Sequence, residues 1–399
     1  MTREEYHAQK ALQEKRRAVE RKSREAAKGA MDLPFLLLTL LLTGIGLIML
    51  FSASFPSAYY ESGDATYYVK RQAVFAAAGA VFMLIISKVN YQRLRGAAKL
   101  ALGGSIFLLI LVIIPGVGIT VNNATRWLGI EGVFTFQPSE LAKLGVIIYF
   151  ADSISKKKEK MEDLKAGLLP YLPILGCIAI LMMLEPHLSG TILIVGIGIM
   201  MMVVGGMKRW LVALGFGGVF GAAFAYVKLV EAGVISYGAG RILMWKDPWL
   251  DYTETGYQMA QSLISIGSGG LLGLGFGKGR QKFRFLPEEH NDFIFAVICE
   301  ELGLIGASLI ILVFILLILR GFWIALHARD RFGALLVVGC MMQISLQTFL
   351  NMAVVTGLLP ATGISLPFFS YGGTALSMQL AEMGIVLSVS RQMRVTKAE

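Results

Sequence analysis

The sequence predicts an all-α polytopic membrane protein: ten transmembrane helices, a large extracellular loop between the seventh and eighth, and both termini in the cytoplasm. Hydrophobic residues make up 55% of the 399-residue chain and charged residues only 16%, unlike an ordinary soluble domain. Apolar runs long enough to cross a bilayer recur from residue 33 to residue 389. The net charge of +10 is concentrated in short Lys/Arg clusters between these runs. That distribution is typical of cytoplasmic loops and not of a nucleic-acid-binding surface.

The chain is predicted to begin and end with short cytoplasmic tails, 1–32 and 392–399, around a transmembrane domain over 33–391. In the first tail Glu is mixed with Lys and Arg at helical spacing, and its positive excess favours the cytoplasm. We interpret it as a solvated helix, with contact to anionic lipid or a partner as the alternative. The tail is too long and too charged for a secretory signal peptide, so the first apolar run is expected to be retained.

The spans are predicted from the apolar runs and from the charges of the loops between them. The Lys/Arg excess, as at Lys156-Lys157-Lys158, follows every second span, and this alternation agrees with the span count. The three cysteines lie inside apolar runs, without metal or disulfide spacing. The predicted spans cover about 33–53, 72–87, 100–115, 138–151, 168–184, 188–205, 210–227, 292–320, 332–355 and 371–389.

The longest connection, 228–291, is the predicted extracellular loop, and its length makes a featureless structure improbable. Its middle part is apolar but too short to cross the membrane once glycines interrupt it. We expect an interfacial or re-entrant helix from Tyr257 to about Ile266, followed by a glycine-rich bend that faces protein or a wet cavity. The run GLGFGKGR is not a phosphate-binding loop, because the first glycine and the Ser/Thr after Lys278 are missing.

Asp292 is the predicted catalytic residue, at the start of the eighth span. Asn291 is expected to cap this helix and Asp292 to lie in its first turn, where the helix dipole favours an anion. An ionised carboxylate near the boundary of water and lipid suits a base that acts on the hydroxyl of a lipid-bound substrate. An ordinary helix cap is the simpler alternative. The residues predicted to bind substrate around it are Arg126, Arg241, Lys278, Arg280, Lys282, Glu288 and His290.

Ionisable residues are also predicted inside the spans, where a charge is costly and marks either function or a specific pair. Glu140 and Lys143 are three residues apart and share one helix face. Glu300 and Glu301 lie roughly 12 Å deeper than Asp292 at about 1.5 Å per residue. A structural ion-pair network is at least as good an interpretation of these four residues as a catalytic role.

Several long motifs resemble the SEDS family of bacterial membrane proteins, the shape, elongation, division and sporulation polymerases. The resemblance runs from residue 33 to residue 391, and the GYQxxxQS pattern is closer to the FtsW and SpoVE branch than to RodA. Two departures are His187, where the family more often has aspartate, and Asn291, which replaces a common threonine. The motifs are Arg126-Trp127 with FQPSELAK (136–143), RILMWKDPW (241–249), GYQMAQSLISIGSGG (256–270), LPEEHNDFIFAVICEELG (286–303) and LPATGISLPFFSYGG (359–373).

The resemblance implies a peptidoglycan glycosyltransferase of the bacterial cytoplasmic membrane that polymerises lipid II, with Asp292 at the position of the family's essential aspartate. It also implies contact with undecaprenyl lipid, a class B penicillin-binding protein and other cell-division membrane proteins. Breaking a sugar–pyrophosphate bond needs a base for the incoming hydroxyl and cations for the leaving group, but no second, acidic carboxyl. The sequence leaves open whether a divalent cation, Mg²⁺ or Mn²⁺, assists.

Two other functions remain open at this point. A flippase for lipid II would use the buried charges of spans four and eight to line a path for the headgroup. A non-catalytic scaffold would position a partner through the outer faces of spans eight and nine. The large extracellular loop favours polymerisation over flipping, because a flippase has no evident need for it.

Overall fold

The computed structural model of the protein describes residues 29–121, 124–130, 134–232, 239–254 and 256–393. In 209–232 and 239–243, and at a few other positions, the backbone is described but not every side chain. Most of the two predicted tails therefore lies outside the described residues.

The described chain is mainly helical. Its helices are α1 (Leu33–Ser62), α2 (Tyr67–Lys88), α3 (Arg93–Ile113), α4 (Pro138–Lys157), α5 (Leu164–Gly167), α6 (Leu172–Leu184), α7 (Leu188–Val204), α8 (Arg209–Glu231), α9 (Ala239–Lys246), α10 (Tyr257–Gly269), α11 (Ile294–Leu326), α12 (Arg331–Val355) and α13 (Gly373–Ser390). A 3₁₀ turn, Lys158–Glu162, follows α4.

Six stretches of the described chain are long and apolar enough to cross a membrane: α1, α2, α3, α5 with α6 (Leu164–Leu184), α11 and α12. Helix α7 is apolar but shorter. Helix α4 is 20 residues long but carries Glu140, Lys143 and Asp152, which lower its hydropathy. This arrangement is that of a multi-pass membrane protein.

A small antiparallel sheet precedes α4, although the sequence predicted only helices. Its strands are β1 (Ile119–Val121), β2 (Ala124–Ile130) and β3 (Phe134–Phe136), in the order β1-β2-β3. In the registers Ile119 lies opposite Trp127, and Leu128 lies opposite Phe136. The sheet forms because β-branched and aromatic residues in this loop favour paired strands that satisfy their backbone hydrogen bonds. It fixes the position of Arg126 on β2.

Asp32 connects three helices at the end of the bundle remote from Asp292. Its carboxylate accepts a hydrogen bond from Phe35 N at 2.9 Å and thereby caps α1. The same carboxylate binds the Arg320 guanidinium of α11 at 2.7 to 3.1 Å. The Asp32 N–H donates to Ser390 Oγ of α13 at 3.1 Å. Bidentate pairing of this kind fixes orientation as well as distance.

Helix α10 and the bend after it confirm the predicted helix from Tyr257, which continues to Gly269 before the glycine-rich segment begins. The bend lies against α11, which is not continuous: Gly303 has φ +66° and interrupts its helical hydrogen bonds. At this interruption Leu274 N donates to Glu300 O at 2.9 Å, and Leu304 N donates to Gly270 O at 2.9 Å. The two backbones therefore satisfy each other inside the bundle, as irregular backbone must where no water is available.

Candidate functional site

Asp292 lies in the turn that leads into α11, one residue before the helix cap. Helix α11 begins at Ile294 with Phe293 at the N-cap position and no side-chain cap, so the prediction that Asn291 caps this helix is wrong. Asn291 Nδ2 donates instead to Glu288 Oε2 at 2.6 Å. The N–H groups of Asn291 and Phe293 both donate to Glu288 O, and this tight turn delays the start of the helix.

The Asp292 carboxyl is half-buried, and its surroundings change its acidity. Burial raises the pKa of Asp292 to about 6, and the Glu288 carboxylate adds to this effect. The guanidinium of Arg126 opposes it, as does His290. At neutral pH the group is therefore still mainly ionised, but it is a stronger base than an ordinary aspartate. A base whose pKa lies near the working pH is well suited to accept a proton from a hydroxyl.

Arg126 reaches the same region from β2. Its Nε donates to Glu185 O at 3.2 Å, and its Nη2 donates to the Pro186 carbonyl. These bonds attach the sheet to the turn between α6 and α7. Because Arg126 lowers the pKa of Asp292, the sheet holds a positive charge that acts on the candidate base.

The turn between α6 and α7 contributes two buried ionisable side chains. Burial raises the pKa of Glu185 to about 8, against the opposing charge of Arg126. Burial lowers the pKa of His187 to about 3, and the positive charges of Arg126 and Lys143 add to this effect. The His187 ring is thus neutral at physiological pH.

Glu288 and His290, which the sequence predicted to bind substrate, both act electrostatically on the Asp292 carboxyl. The His290 ring packs on Tyr68 with 4.5 Å between ring centres, and its Nδ1 lies 3.4 Å from Glu289 Oε1. Burial raises the pKa of Glu289, but hydrogen bonds from His290 and Ser57 outweigh this and hold the pKa below its usual value. A cavity of about 240 Å³ opens here, lined by Ser57, Glu61, Arg284, Leu286, Pro287, Glu288, Glu289 and His290.

The basic loop before Asp292 lies elsewhere than the sequence suggested. Lys282 is 0% exposed, and its ammonium lies 2.6 Å from Glu301 Oε1 and 3.1 Å from Ser52 Oγ. A buried lysine paired in this way stabilises the packing of α1 and α11 and does not face a substrate, which corrects the expectation for Lys282. Lys278 and Arg280 are exposed. They lie at the level of Glu300, further along α11 than Asp292.

Glu300 and Glu301 hold the glycine-rich loop against α11. Glu300 accepts hydrogen bonds from the N–H groups of Arg280 at 2.8 Å and of Gln281 at 3.3 Å. Glu301 accepts from Gly277 N at 3.0 Å in addition to its bond with Lys282. These contacts give both carboxylates a structural role, which was the alternative that the sequence left open.

The remaining predicted residues are Glu140 and Lys143, a pair on α4, and Arg241. Lys143 Nζ lies 2.8 Å from Glu140 Oε1, so the predicted pair on α4 forms, and both side chains are buried or nearly so. Gln343 on α12 donates to Glu382 on α13 at 3.0 Å. Glu382 belongs to the same part of the bundle as the pair on α4, because Glu140 and Lys143 act on it electrostatically. Arg241 belongs to α9, but its side chain lies outside the described residues.

Two residues that contact Asp292 were not identified from the sequence. Asn351 on α12 donates through Nδ2 to Asp292 O at 2.7 Å. Gly363 has φ +71°, and a Cβ at this position would lie 3.3 Å from Asp292 Oδ2. Asn351 could have been noticed as a polar amide within an apolar run. Nothing in the pattern around Gly363 connects it with Asp292.

No group of three or more His, Cys, Asp and Glu side chains in the described part of the chain is arranged to hold a metal ion. Mg²⁺ is commonly held by one or two carboxylates together with substrate phosphates. A divalent cation held by one or two carboxylates and the pyrophosphate of a donor would need no such group.

Apolar helices that surround buried ion pairs, with a half-buried carboxylate at one end of the bundle, define a multi-pass helical membrane protein with a polar site. The chain belongs to the FtsW, RodA and SpoVE family of cell cycle proteins, whose family model matches residues 32–395. It is accordingly a multi-pass protein of the bacterial cytoplasmic membrane.

Two relatives show how much of the chain the similarity covers. The chain is 41% identical over 365 residues to the "Probable peptidoglycan glycosyltransferase FtsW" of Geobacter sulfurreducens, which covers 91% of this chain and 96% of the relative. It is 42% identical over 368 residues to "Stage V sporulation protein E" of Bacillus subtilis, and the match covers 92% of this chain and 99% of the relative. Both names belong to the division and sporulation branch that the motifs indicated.

Solved structures share the fold. A chain from a study titled "Structural coordination of polymerization and crosslinking by a peptidoglycan synthase complex" matches with a TM-score of 0.74 and 28% identity, over 91% of this chain and 98% of that one. The rod shape determining protein RodA of Thermus thermophilus matches with a TM-score of 0.66 and 26% identity, over 92% of this chain and 98% of RodA.

Proposed function

We propose that the protein is a peptidoglycan glycosyltransferase that polymerises lipid II at the outer face of the cytoplasmic membrane, with Asp292 as the general base. The observation that carries this proposal is the Asp292 carboxyl: it lies in the turn before α11, Arg126 and His290 act on it electrostatically, and its pKa is raised to about 6. The names of relatives that are about 40% identical over most of the chain support the same activity.

The proposal includes a membrane topology. The ten spans are α1, α2, α3, α4, α5 with α6, α7, α8, α11, α12 and α13, with cytoplasmic termini and the loop 228–291 outside. In this topology 33–391 is the transmembrane domain, and 1–32 and 392–399 are cytoplasmic tails. The alternation of Lys/Arg clusters supports it. Asp292 then faces the side of the membrane on which glycan strands are assembled.

In the proposed reaction Asp292 removes the proton from the 4-hydroxyl of the acceptor sugar. The oxygen attacks the anomeric carbon of the lipid-linked donor from the face opposite the leaving group, so a new glycosidic bond forms as the bond to pyrophosphate breaks. Negative charge develops on the departing pyrophosphate and must be stabilised by cations. We assign Arg126 to this role, with Arg241 as a further candidate from the loop 228–291. Glu288 and His290 would contact the sugars.

The proposed partners follow from the substrate and from the structural relatives. Apolar grooves between spans would hold the undecaprenyl tail of lipid II. A class B penicillin-binding protein would cross-link the glycan, and the match to a peptidoglycan synthase complex supports such an assembly. Other cell-division membrane proteins are further proposed partners.

The test uses purified protein in lipid nanodiscs with lipid II as the only substrate, and measures glycan polymer by gel electrophoresis. Asp292→Asn keeps the shape of the side chain but removes its basicity, and we expect polymer synthesis to fall by roughly 10²- to 10⁴-fold, the usual contribution of a general base. Asp64→Asn is the matched control, because Asp64 is an aspartate of the exposed turn between α1 and α2. Polymer synthesis by Asp292→Asn at the wild-type rate would refute the proposed base.

The same material separates the two alternatives. A flippase would move lipid II across vesicle membranes without forming polymer. A scaffold would form no polymer alone and would be insensitive to Asp292→Asn in a complementation assay. The contacts of Glu300 and Glu301 with loop amides argue against a headgroup path lined by these two residues.

A further inference from the structure

The backbone around Asp292 is held by three consecutive hydrogen bonds from distant parts of the chain. The carbonyl of His290 accepts from Tyr371 N at 2.9 Å. The carbonyl of Asn291 accepts from Ser370 Oγ at 2.7 Å. The carbonyl of Asp292 accepts from Asn351 Nδ2 at 2.7 Å. Because α11 has no side-chain cap of its own, these bonds fix the direction in which the turn enters the helix.

Asn351 provides the one of these three hydrogen bonds that is made to Asp292 itself. It is 1% exposed, and its Nδ2 donates to Asp292 O at 2.7 Å and to Ile364 O at 2.6 Å. Its Oδ1 has no hydrogen-bond partner among the described residues, so its whole described contribution is donation to these two carbonyls. A primary amide is the neutral side-chain group that offers two such N–H bonds. The residue thus ties the candidate base to the segment 359–372.

The segment 359–372 is itself fixed from another helix. Gln72 of α2 is 1% exposed; its Nε2 donates to Ser370 O at 3.2 Å, and its Oε1 accepts from Gly372 N at 3.1 Å. Gly363 of the same segment lies directly against the Asp292 carboxyl. Asn351 therefore connects Asp292 to a segment that is itself hydrogen-bonded to α2.

We propose that Asn351 is a positioning residue that keeps the Asp292 carboxyl half-buried against Gly363. The inference rests on the proposed role of Asp292 as the base and adds the group that orients it. Without the amide, the Asp292 carbonyl loses its donor and the turn can shift towards water. The carboxyl would then lose the burial that raises its pKa.

Two measurements on Asn351→Ala in nanodiscs test the proposal. The first is the pH dependence of lipid II polymerisation, whose acid limb reports the protonation of the base. The second is the pH dependence of Asp292 labelling by a hydrophobic carbodiimide, which modifies the protonated carboxyl and is read by mass spectrometry without any turnover. We expect both midpoints to move from about 6 towards the ordinary value of 3.8. We also expect kcat to fall by on the order of 100-fold with little change in KM.

Gln347→Ala is the matched control. Gln347 lies one turn earlier on α12, and its amide donates to Ser365 O at 3.0 Å and to Ser365 Oγ at 3.1 Å. The Gln347→Ala substitution therefore removes side-chain amide hydrogen bonds between the same helix and the same segment, without removing a bond to Asp292. We expect the midpoints of Gln347→Ala to remain at the wild-type pH. Equal shifts in both variants would show a general loosening of the segment and would overturn the proposal.

Unchanged midpoints in Asn351→Ala would also overturn it. If Asn351→Ala does not fold, Asn351→Leu keeps most of the side-chain volume but removes the N–H donors, and the proposal requires a shift in the same direction. The labelling experiment separates this inference from the proposed function. If Asp292→Asn retains full polymer synthesis, the proposed base is wrong, but the labelling midpoint still decides whether Asn351 holds the Asp292 carboxyl in place.

Discussion

The buried ion pair between Lys282 and Glu301 provides a sharp prediction about what holds the loop before Asp292. Both side chains are 0% exposed, and 2.6 Å separates Lys282 Nζ from Glu301 Oε1. Ser52 Oγ donates to Glu301 at 2.6 to 2.8 Å, and the Phe55 ring lies 4.8 Å from the Lys282 ammonium. The pair thus joins α1, the glycine-rich loop and α11.

The expected magnitude follows from the complete burial of both partners. Lys282→Met keeps most of the apolar volume but leaves the Glu301 carboxylate without its counter-ion. Removing one partner of a buried pair costs about 3 to 5 kcal/mol of unfolding free energy, because a charge is left buried and uncompensated. Combining Lys282→Met with Glu301→Gln removes that charge, so the double variant should recover most of this loss.

The assay is a double-mutant cycle on the purified protein, with unfolding followed by thermal scans in detergent. Lys278→Met is the matched control, since Lys278 is an exposed lysine of the same loop, and it should change stability by less than about 0.5 kcal/mol. The reasoning would be refuted if Lys282→Met were as harmless as Lys278→Met. It would also be refuted if the effects of the two buried substitutions simply added, because residues in direct contact should not be independent.

Two further predictions concern activity. The proposed base Asp292 must be deprotonated to act, and its pKa is raised to about 6. The rate of polymer synthesis should therefore rise with pH through about 6 and be lost below it. A pH–rate profile measures this, and a rate that is flat from pH 5 to 7 would contradict it. Gly363→Ala should lower the rate about tenfold, because the added Cβ would lie 3.3 Å from Asp292 Oδ2. Gly357→Ala is its control, with a similar φ of +77° but only Leu263 and Met259 as neighbours, so an equal loss of activity in both variants would point to backbone strain alone.

The features that the sequence predicted correctly depend on local pattern. Apolar runs of sufficient length identified the membrane class, and the i, i+3 spacing of Glu140 and Lys143 predicted a pair that forms at 2.8 Å. The helix from Tyr257 and the following glycine-rich bend were also readable, because glycine and apolar periodicity act within a few residues. The start of α11 was misplaced, since the turn at Glu288 competes with the cap that Asn291 could have formed.

The basic residues near Asp292 show the limit of this reasoning. In the sequence Lys278, Arg280 and Lys282 are equivalent members of one cationic loop. In the structure Lys282 is buried against Glu301, 19 residues later, while Lys278 and Arg280 remain exposed. Which lysine enters the bundle depends on how the loop bends at its glycines and on where α11 is interrupted, and neither is encoded by charge pattern.

By itself, the sequence determined that this protein crosses the membrane several times, belongs to the family that its motifs resemble, and carries an aspartate at the entrance to a long apolar helix. Only the tertiary structure decided what surrounds that aspartate. Arg126 acts on it electrostatically from a small sheet, and Asn351 donates to its carbonyl from a helix 59 residues further on. The physical reason is that hydropathy and helical periodicity act over a few turns of chain. The burial and hydrogen bonds of Asp292, in contrast, come from segments that meet only when the bundle has packed.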